Sequence, residues 1–398
     1  HPVAHSFPTR RSSDLGPFDD YRALVCVFLF GGNDSFNMLV PASDAEYGVY
    51  AASRQNLAIP QADLLPIQPL ASDGVDYGLH PSMPEVQTLF DSGRAAFVTN
   101  VGPLIRPVTK AGFQAGSAVL PPQLFSHNDQ QDQWHSLKGT SQTATGWAGR
   151  IADLIRLEVS GQQLATNASL FGNTLFQSAG ETVAYVMGPQ GPVPFEGFGD
   201  SGIFLEQRRA FERIINANYG SVYERGFAEV QQRAVAAADR VSGAIASAPE
   251  LATSFPASQL GEQLATVARL IAVRDELAMQ RQIFFVAAGG FDTHDDQAQL
   301  QPGLLAGVSQ AISAFHAATA ELGVADSVTT FTQSDFGRTL TSNGDGTDHG
   351  WGGIQLVVGD AVRGRELYGE YPLLEIDGPR DVGGGRIIPS LSADQYAA

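Results

Sequence analysis

The chain has 398 residues, of which 43% are hydrophobic and 17% charged, a globular composition. This length predicts one large domain, or one domain with a sizeable insertion. The formal net charge is −18 and no basic stripe is visible, which excludes nucleic acid as a partner. The sequence has no apolar run of the roughly 18 residues that a transmembrane helix needs. The lone cysteine, Cys26, lies in an apolar run and is expected to be buried.

The two ends of the chain differ in character from the rest. Residues 1–15, HPVAHSFPTRRSSDL, resemble a translated sequencing adapter, and we predict that they lie outside the native domain. Their Arg10-Arg11 pair mimics a twin-arginine signal, but polar residues follow it where an export signal has an apolar segment. The C-terminal SLSADQYAA reads as the start of a helix. We therefore expect residues 22–398 to form a single domain that is truncated at its C terminus.

Short apolar runs alternate with helical patterns along the chain. In order, the predicted elements are strand 22–30, helix 84–92, strand 95–99, helix 260–280, strand 283–288, helix 304–322 and strand 327–332. Continuous apolar strands between helices predict an α/β fold with a doubly wound, mostly parallel sheet. Residues 160–202 are rich in glycine, serine and proline, and residues 204–247 are helical in pattern. Together they predict a helical insertion or cap at about residues 160–250.

Acidic residues and histidines follow three of the predicted strands. In open α/β sheets, ligands bind beyond the carboxyl ends of the strands. Those positions hold Asp34, Asp292, His294, Asp335, Asp348 and His349. One such aspartate is explained equally well as a helix cap, but three separate clusters at one sheet edge favour a divalent metal site of one or two ions. Carboxylate and imidazole ligands suit Zn²⁺ or Mn²⁺ better than Mg²⁺ or Ca²⁺.

Three further residues are candidates for catalysis near these clusters. Ser126 lies where a helix could begin, so its hydroxyl is either a nucleophile or a helix cap. His127 is either a metal ligand or a residue that holds a substrate oxygen. Arg338 follows Asp335 by three residues and could bind an anionic group, although a structural salt bridge is the commoner role of such an arginine.

The motifs FLFGGNDSFNMLVP, FSHNDQQDQW, TGWAGR, GGFDTHDDQ and SDFGRT followed by GTDHG resemble the domain-of-unknown-function 1501 (DUF1501) family. They occur in the expected order from about Arg22 to the C terminus. The resemblance implies an alkaline-phosphatase-like fold and twin-arginine export in bacteria, to the periplasm or beyond. It implies that Asp34 is the first-strand metal ligand and that Asp292 and His294 share one metal. It also implies that Ser126 lies at the nucleophile position of the superfamily.

Two alignments remain open for the last ligands. Either Asp348 and His349 are the Asp-His pair of the superfamily, or Asp335 takes the aspartate role and His349 that of the final histidine. In the second alignment Phe336 stands where a histidine is usual, which argues against a complete two-metal site. The family more often has glutamate at position 335.

These observations favour a metal-dependent hydrolase that acts on a small anionic phosphate or sulfate ester. A metal ion would let an acidic protein accept an anion. The alternative is a non-catalytic exported protein that binds metal or takes part in surface assembly. A metal-free esterase of the Ser-Gly-Asn-His type is disfavoured, because its serine block, at Gly199-Asp200-Ser201, follows the asparagine block instead of preceding it.

Overall fold

The computed structural model describes residues 18–139, 143–193 and 197–398, so the adapter-like segment 1–15 lies outside the described residues. The strands are β1 (Arg22–Leu29), β2 (Leu39–Pro41), β3 (Leu65–Ile67), β4 (Tyr77–Leu79), β5 (Ala95–Gly102), β6 (Asn167–Ser169), β7 (Tyr185–Val186), β8 (Arg281–Ala288), β9 (Val328–Ser334), β10 (Arg338–Ser342), β11 (Thr347–His349), β12 (Gly353–Val358), β13 (Leu367–Tyr368) and β14 (Leu391–Ser392). The helices are α1 (Asp44–Arg54), α2 (Pro84–Asp91), α3 (Lys110–Gln114), α4 (His127–Ser136), α5 (Trp147–Ile155), α6 (Gly202–Ile215), α7 (Val222–Ser247), α8 (Gln259–Ala272), α9 (Gln297–Glu321) and α10 (Ala393–Ala397). None of the helices in these ranges combines the length and hydrophobicity that a membrane crossing requires.

A mixed, mostly parallel sheet forms the centre of the fold. Within the described residues it has nine strands, in the order β13-β5-β12-β9-β1-β8-β6-β7, and β14 also pairs with β5. Strand β1 lies between two parallel partners, β8 and β9. Strand β12 runs antiparallel to both β9 and β5. The predicted α/β class and the mostly parallel sheet are therefore confirmed.

Helices cover both faces of the sheet, which explains why β1 and β8 are apolar along almost their whole length. Val25 and Val27 of β1 face one core, which α8 and α9 complete. The alternate residues Cys26 and Phe28 face the opposite core, together with Trp134 of α4. When both faces of a strand are buried, the side chains on both faces are apolar, and the sequence does not alternate between apolar and polar residues. Cys26 is a buried free thiol, as expected.

Two helices differ in length from their predicted spans. Helix α8 ends at Ala272, eight residues before the predicted end, because the chain turns there toward β8. Helix α9 begins at Gln297, seven residues before the predicted start at residue 304, and therefore includes Pro302. The helix thus tolerates the loss of the one i→i−4 hydrogen bond that Pro302 cannot donate.

The segment predicted as an insertion contributes to the sheet as well as to the helical layer. Strands β6 and β7 extend the sheet beyond β8, with β6 parallel to β8. Helix α7 packs on the same core as α8 through Val241 and Ala244. Residues 160–250 therefore complete one side of the domain.

His135 on α4 gives the fold a built-in sensitivity to acid. Its ring packs against Phe28, Phe176 and Phe285, and burial lowers its pKa to about 3. The unfolded chain, with a histidine pKa of about 6.5, binds more protons than the folded chain between pH 6.5 and 3, so stability falls as the pH falls through this window. We expect a pH change from 7 to 5 to destabilise the wild type by about 2 kcal/mol more than His135→Phe. Urea unfolding at both pH values measures this difference, and equal losses would contradict it.

Candidate metal centre

Three parallel strands end together at one edge of the sheet. The register pairs Leu29 of β1 with Ala288 of β8 and with Ser334 of β9. The loops after β8 and β9 carry Asp292 and Asp335, two of the residues that the sequence singled out. The shared strand ends bring these loops into contact although they are far apart in sequence.

Gly31 joins the loop after β1 to the other two. Its φ is +116°, and a Cβ at this position would lie 2.2 Å from the backbone nitrogen of Asp292, so only glycine fits. The Gly31 N–H donates a hydrogen bond to Asp335 Oδ1 (3.2 Å). The Gly31 carbonyl accepts one from Arg338 Nη1 (3.0 Å). One residue thus holds three loops together beneath the site.

Three histidines surround the carboxylate of Asp292. The Nε2 atoms of His294 and His349 lie 3.1 and 3.4 Å from Asp292 Oδ1. The Nε2 atom of His127 lies 3.4 Å from Asp292 Oδ2. One possible ligand atom each from His127, Asp292 and His349 lies within 4.8 Å of the others, and His294 Nε2 is 2.9 Å from His349 Nε2. We call these four residues the His/Asp centre.

Each of the three histidines contacts an oxygen behind it through Nδ1. The partners are Asp335 Oδ2 for His127 (2.6 Å), Asp348 Oδ1 for His294 (3.3 Å) and the Phe125 carbonyl for His349 (2.7 Å). A carbonyl oxygen only accepts, so His349 must carry its proton on Nδ1. The carboxylates behind the other two histidines favour the same tautomer. All three Nε2 lone pairs then point toward Asp292.

This donor set fits a divalent metal. Lone pairs and a carboxylate at these separations repel one another unless a proton or a cation lies between them. Imidazole Nε2 atoms plus one carboxylate oxygen are ligands that Zn²⁺ takes, and the oxygens behind the rings are the supports that zinc-binding histidines usually have. His127, Asp292, His294 and His349 are therefore the residues that would hold the ion.

The charge states of Asp292 and His349 support the same assignment. Burial alone would raise the pKa of Asp292, but the hydrogen bond and charge of Arg338 hold that pKa below its usual value. The hydrogen bond that His127 donates to Asp335 raises the pKa of His127, which favours the protonated ring. Burial lowers the pKa of His349. An ionised Asp292 and a neutral His349 are the forms in which these side chains bind metal.

Asp34, predicted as a ligand, lies in a buried network behind the centre. Its carboxylate forms an ion pair with Arg54 and accepts a hydrogen bond from Gln297, and both carboxylate and guanidinium are fully buried. Gln297 in turn accepts from Thr347 Oγ1 (2.6 Å), which accepts from Arg338 Nε (3.1 Å). Asp34 is thus linked to the centre through a chain of hydrogen-bonded side chains. Its Oδ1 atom has no partner in the described residues.

The two aspartates that the alignments left open both lie behind histidines. Asp335 is fully buried, contacts His127 and accepts from Gln131 Nε2 (2.9 Å). Asp348 is 51% exposed and contacts His294. Neither belongs to the three-residue group of possible ligand atoms found in the described residues. Each alignment had placed one of these carboxylates on the metal, and in the structure both carboxylates contact the Nδ1 atom of a histidine.

Arg338 and Ser126, two of the predicted catalytic residues, contact protein atoms. Arg338 is fully buried, and its Nη1 donates to Asp292 Oδ1 at 2.6 Å while its other nitrogens bond to Thr347. Ser126 occupies the N-cap position of α4, and its Oγ donates to Asp129 Oδ2 at 2.6 Å. Arg338 therefore orients the Asp292 carboxylate, and Ser126 lies next to the centre in sequence.

Sequence reasoning missed Gln131, Arg54 and Gln297. Gln131 lies four residues after His127, one turn further along the same face of α4, so helical spacing could have identified it. Arg54 ends α1 and Gln297 begins α9, and they meet only through tertiary contacts with Asp34. No local pattern marks such residues.

Comparisons with known proteins assign the chain to a protein family. No curated protein matches the chain. Among solved structures, the C-terminal periplasmic domain of EcEptC from Escherichia coli, in a complex with Zn, aligns with 87% of this chain and 76% of that one, at 10% identity and a TM-score of 0.34. A likeness this low carries no argument about fold or function. The profile of DUF1501, described as a protein of unknown function, matches residues 21–378, so the predicted resemblance is confirmed and the chain belongs to the DUF1501 family.

Proposed function

We propose that this protein is an exported, metal-dependent hydrolase of phosphate or sulfate esters with an alkaline-phosphatase-like fold. The observation that carries the proposal is the convergence of three histidine Nε2 atoms on the Asp292 carboxylate. A bound Zn²⁺ or Mn²⁺ ion would stabilise the negative charge that develops on the ester during hydrolysis. Export remains the expectation that the family resemblance provides.

The openness of the His/Asp centre favours a catalytic site over a structural one. The side chains of His127, His294 and His349 are 29%, 38% and 24% exposed, and that of Asp292 is 43% exposed. Structural zinc sites are closed by four protein ligands, whereas catalytic sites keep a position open for a small molecule. A small ester can therefore reach the centre from solvent.

The protein's own residues keep the ligands in place. Asp335 and Asp348 fix the ring orientations of His127 and His294 through Nδ1. Arg338 fixes the carboxylate of Asp292. Such supports hold metal ligands in the geometry that binding needs before the ion arrives.

The proposal is tested by metal analysis and a substrate panel. Protein purified without chelators should contain Zn²⁺ or Mn²⁺ and should hydrolyse at least one of an aryl phosphate, a phosphodiester and an aryl sulfate. Chelation should remove the activity, and the same metal should restore it. Metal-loaded protein that is inert toward all three would favour the alternative, a non-catalytic metal-binding protein. The full burial of Arg338, which takes it away from any substrate, is the observation that favours this alternative.

Ser126 is the nucleophile in the covalent form of this proposal. Its Oγ is 2.6 Å from Asp129 Oδ2, a carboxylate that can accept the hydroxyl proton. We expect Ser126→Ala to lower kcat by about a thousandfold or more with the metal content unchanged. Ser258→Ala is the matched control, because Ser258 is also an N-cap residue, its Oγ accepts from the Gly261 N–H, and its replacement should lower only stability, by about 1 kcal/mol. A loss of kcat below about tenfold would leave Ser126 as a helix cap and assign the attack to water.

A further inference from the structure

We propose that Arg386 binds the anionic group of the substrate beside the His/Asp centre, the role that the sequence had suggested for Arg338. The ligand chemistry is a tetrahedral oxyanion, which a phosphate and a sulfate ester share. The inference rests on the proposed function and names the residue that would select its substrate class. Arg386 lies beyond residues 21–378, the span of the family match.

Arg386 is anchored directly against the centre. Its Nε donates to the carbonyl of His349 at 3.0 Å, and its Cζ lies 5.1 Å from the centroid of the Phe125 ring. Phe125 and His349 are themselves joined by the hydrogen bond from His349 Nδ1 to the Phe125 carbonyl. Phe125 also immediately precedes Ser126, so the guanidinium and the Ser126 hydroxyl border the same turn.

One nitrogen of the Arg386 guanidinium, Nη2, is left to bind a ligand. Nη1 donates to the Gly383 carbonyl at 3.1 Å, whereas Nη2 has no hydrogen-bond partner among the described residues. No carboxylate in the same ranges forms an ion pair with Arg386, although Arg338 pairs with Asp292. An arginine without an anionic partner beside a metal centre can neutralise part of a bound anion's charge, and the two N–H groups of Nη2 can donate to its oxygens.

The loop before Arg386 is rigidly built. Gly383, Gly384 and Gly385 have φ values of +131°, +65° and +80°, a sequence of conformations that side chains with a Cβ rarely adopt. The buried carboxylate of Asp381 accepts from the N–H groups of Gly383 (2.7 Å) and Gly385 (2.9 Å). A fixed loop lets Arg386 meet an anion without losing much side-chain freedom on binding.

Calorimetric titration of the metal-loaded protein with inorganic phosphate and with inorganic sulfate tests the proposal. Arg386→Gln should raise the Kd for the anion by about tenfold or more, because it removes a charged donor. Arg386→Lys should recover part of the affinity, since it keeps the charge but not the planar donor group. Arg380→Gln is the matched control: its arginine lies nearby in sequence but pairs with the exposed Glu370. Zinc content and melting temperature are measured for every variant.

An unchanged anion affinity in zinc-loaded Arg386→Gln would overturn the proposal. A variant that loses zinc together with the anion would overturn it too, because Arg386 would then only support His349. A wild type that binds no metal would reject the proposed function instead. The titration could still be read on that protein, since backbone carbonyls and the Phe125 ring hold Arg386 in place. If Arg386→Gln raises the Kd for phosphate alone, or for sulfate alone, the result would support the proposal and assign the ester class.

Discussion

His349→Ala should leave the purified protein without stoichiometric zinc. The substitution removes one of the converging Nε2 donors and breaks the contact that orders the Phe125 carbonyl. We expect the affinity for zinc to fall by more than the roughly 10–100-fold that follows when a group that supports a ligand is removed. Asp335→Asn changes such a supporting group and is the comparison. Competition with a chromogenic chelator measures both affinities.

His294→Ala should likewise abolish most of the rise in melting temperature that added metal produces, and Asp292→Asn should weaken metal binding.

The control for these substitutions is His316→Ala. His316 lies on α9, and its Nε2 atom is 2.9 Å from Asp360 Oδ1. It does not belong to the group of possible metal ligands found in the described residues. This variant should keep its zinc. If added divalent ions leave the melting temperature of the wild type unchanged, the metal centre itself is rejected.

Arg54→Met should destabilise the fold by about 3–5 kcal/mol, because it leaves the carboxylate of Asp34 buried without its cation. Both side chains are fully inaccessible to solvent, and Asp34 would keep Gln297 as its side-chain partner. Urea unfolding at neutral pH measures the change.

Two further variants make this measurement specific. Arg209→Ala removes an arginine from an exposed pair with Glu206 and should change stability by less than about 1 kcal/mol. Adding Asp34→Asn to Arg54→Met should recover part of the loss, because the uncompensated charge is then gone. A loss below about 1 kcal/mol in the single variant Arg54→Met would show that solvent reaches Asp34.

Four of the inner strands, β1, β5, β8 and β9, could be predicted from the sequence, whereas the inner strand β12 was missed and the short outer strands show no pattern. Strands β1 and β8 are continuous apolar runs because both of their faces are buried, so composition alone identifies them. Strands β6, β7, β13 and β14 have only two or three residues each, too few to show a period. Their positions in the sheet depend on pairing with distant segments, for which a local pattern gives no sign.

The site shows the same division between local and long-range information. Strand ends marked Asp292 and His294 as residues for chemistry, and both belong to the His/Asp centre. The sequence did not distinguish the carboxylate of the His/Asp centre from the carboxylates that contact an imidazole Nδ1, since Asp335 meets His127 across 208 positions of the chain. That choice depends on the direction of each side chain, which tertiary packing decides.

The central position of β1 has a consequence for how the chain reaches its native state. Arg22 pairs with Arg281 and Ala23 with Val328, so both neighbours of β1 are synthesised about 260 and 300 residues after it. At a translation rate of about 5–20 residues per second, an apolar strand with two unpaired edges waits for roughly 10–60 seconds before its partners exist. During that time the nascent chain presents an aggregation-prone segment, so we expect its folding yield to depend on a chaperone that shields the N-terminal strand.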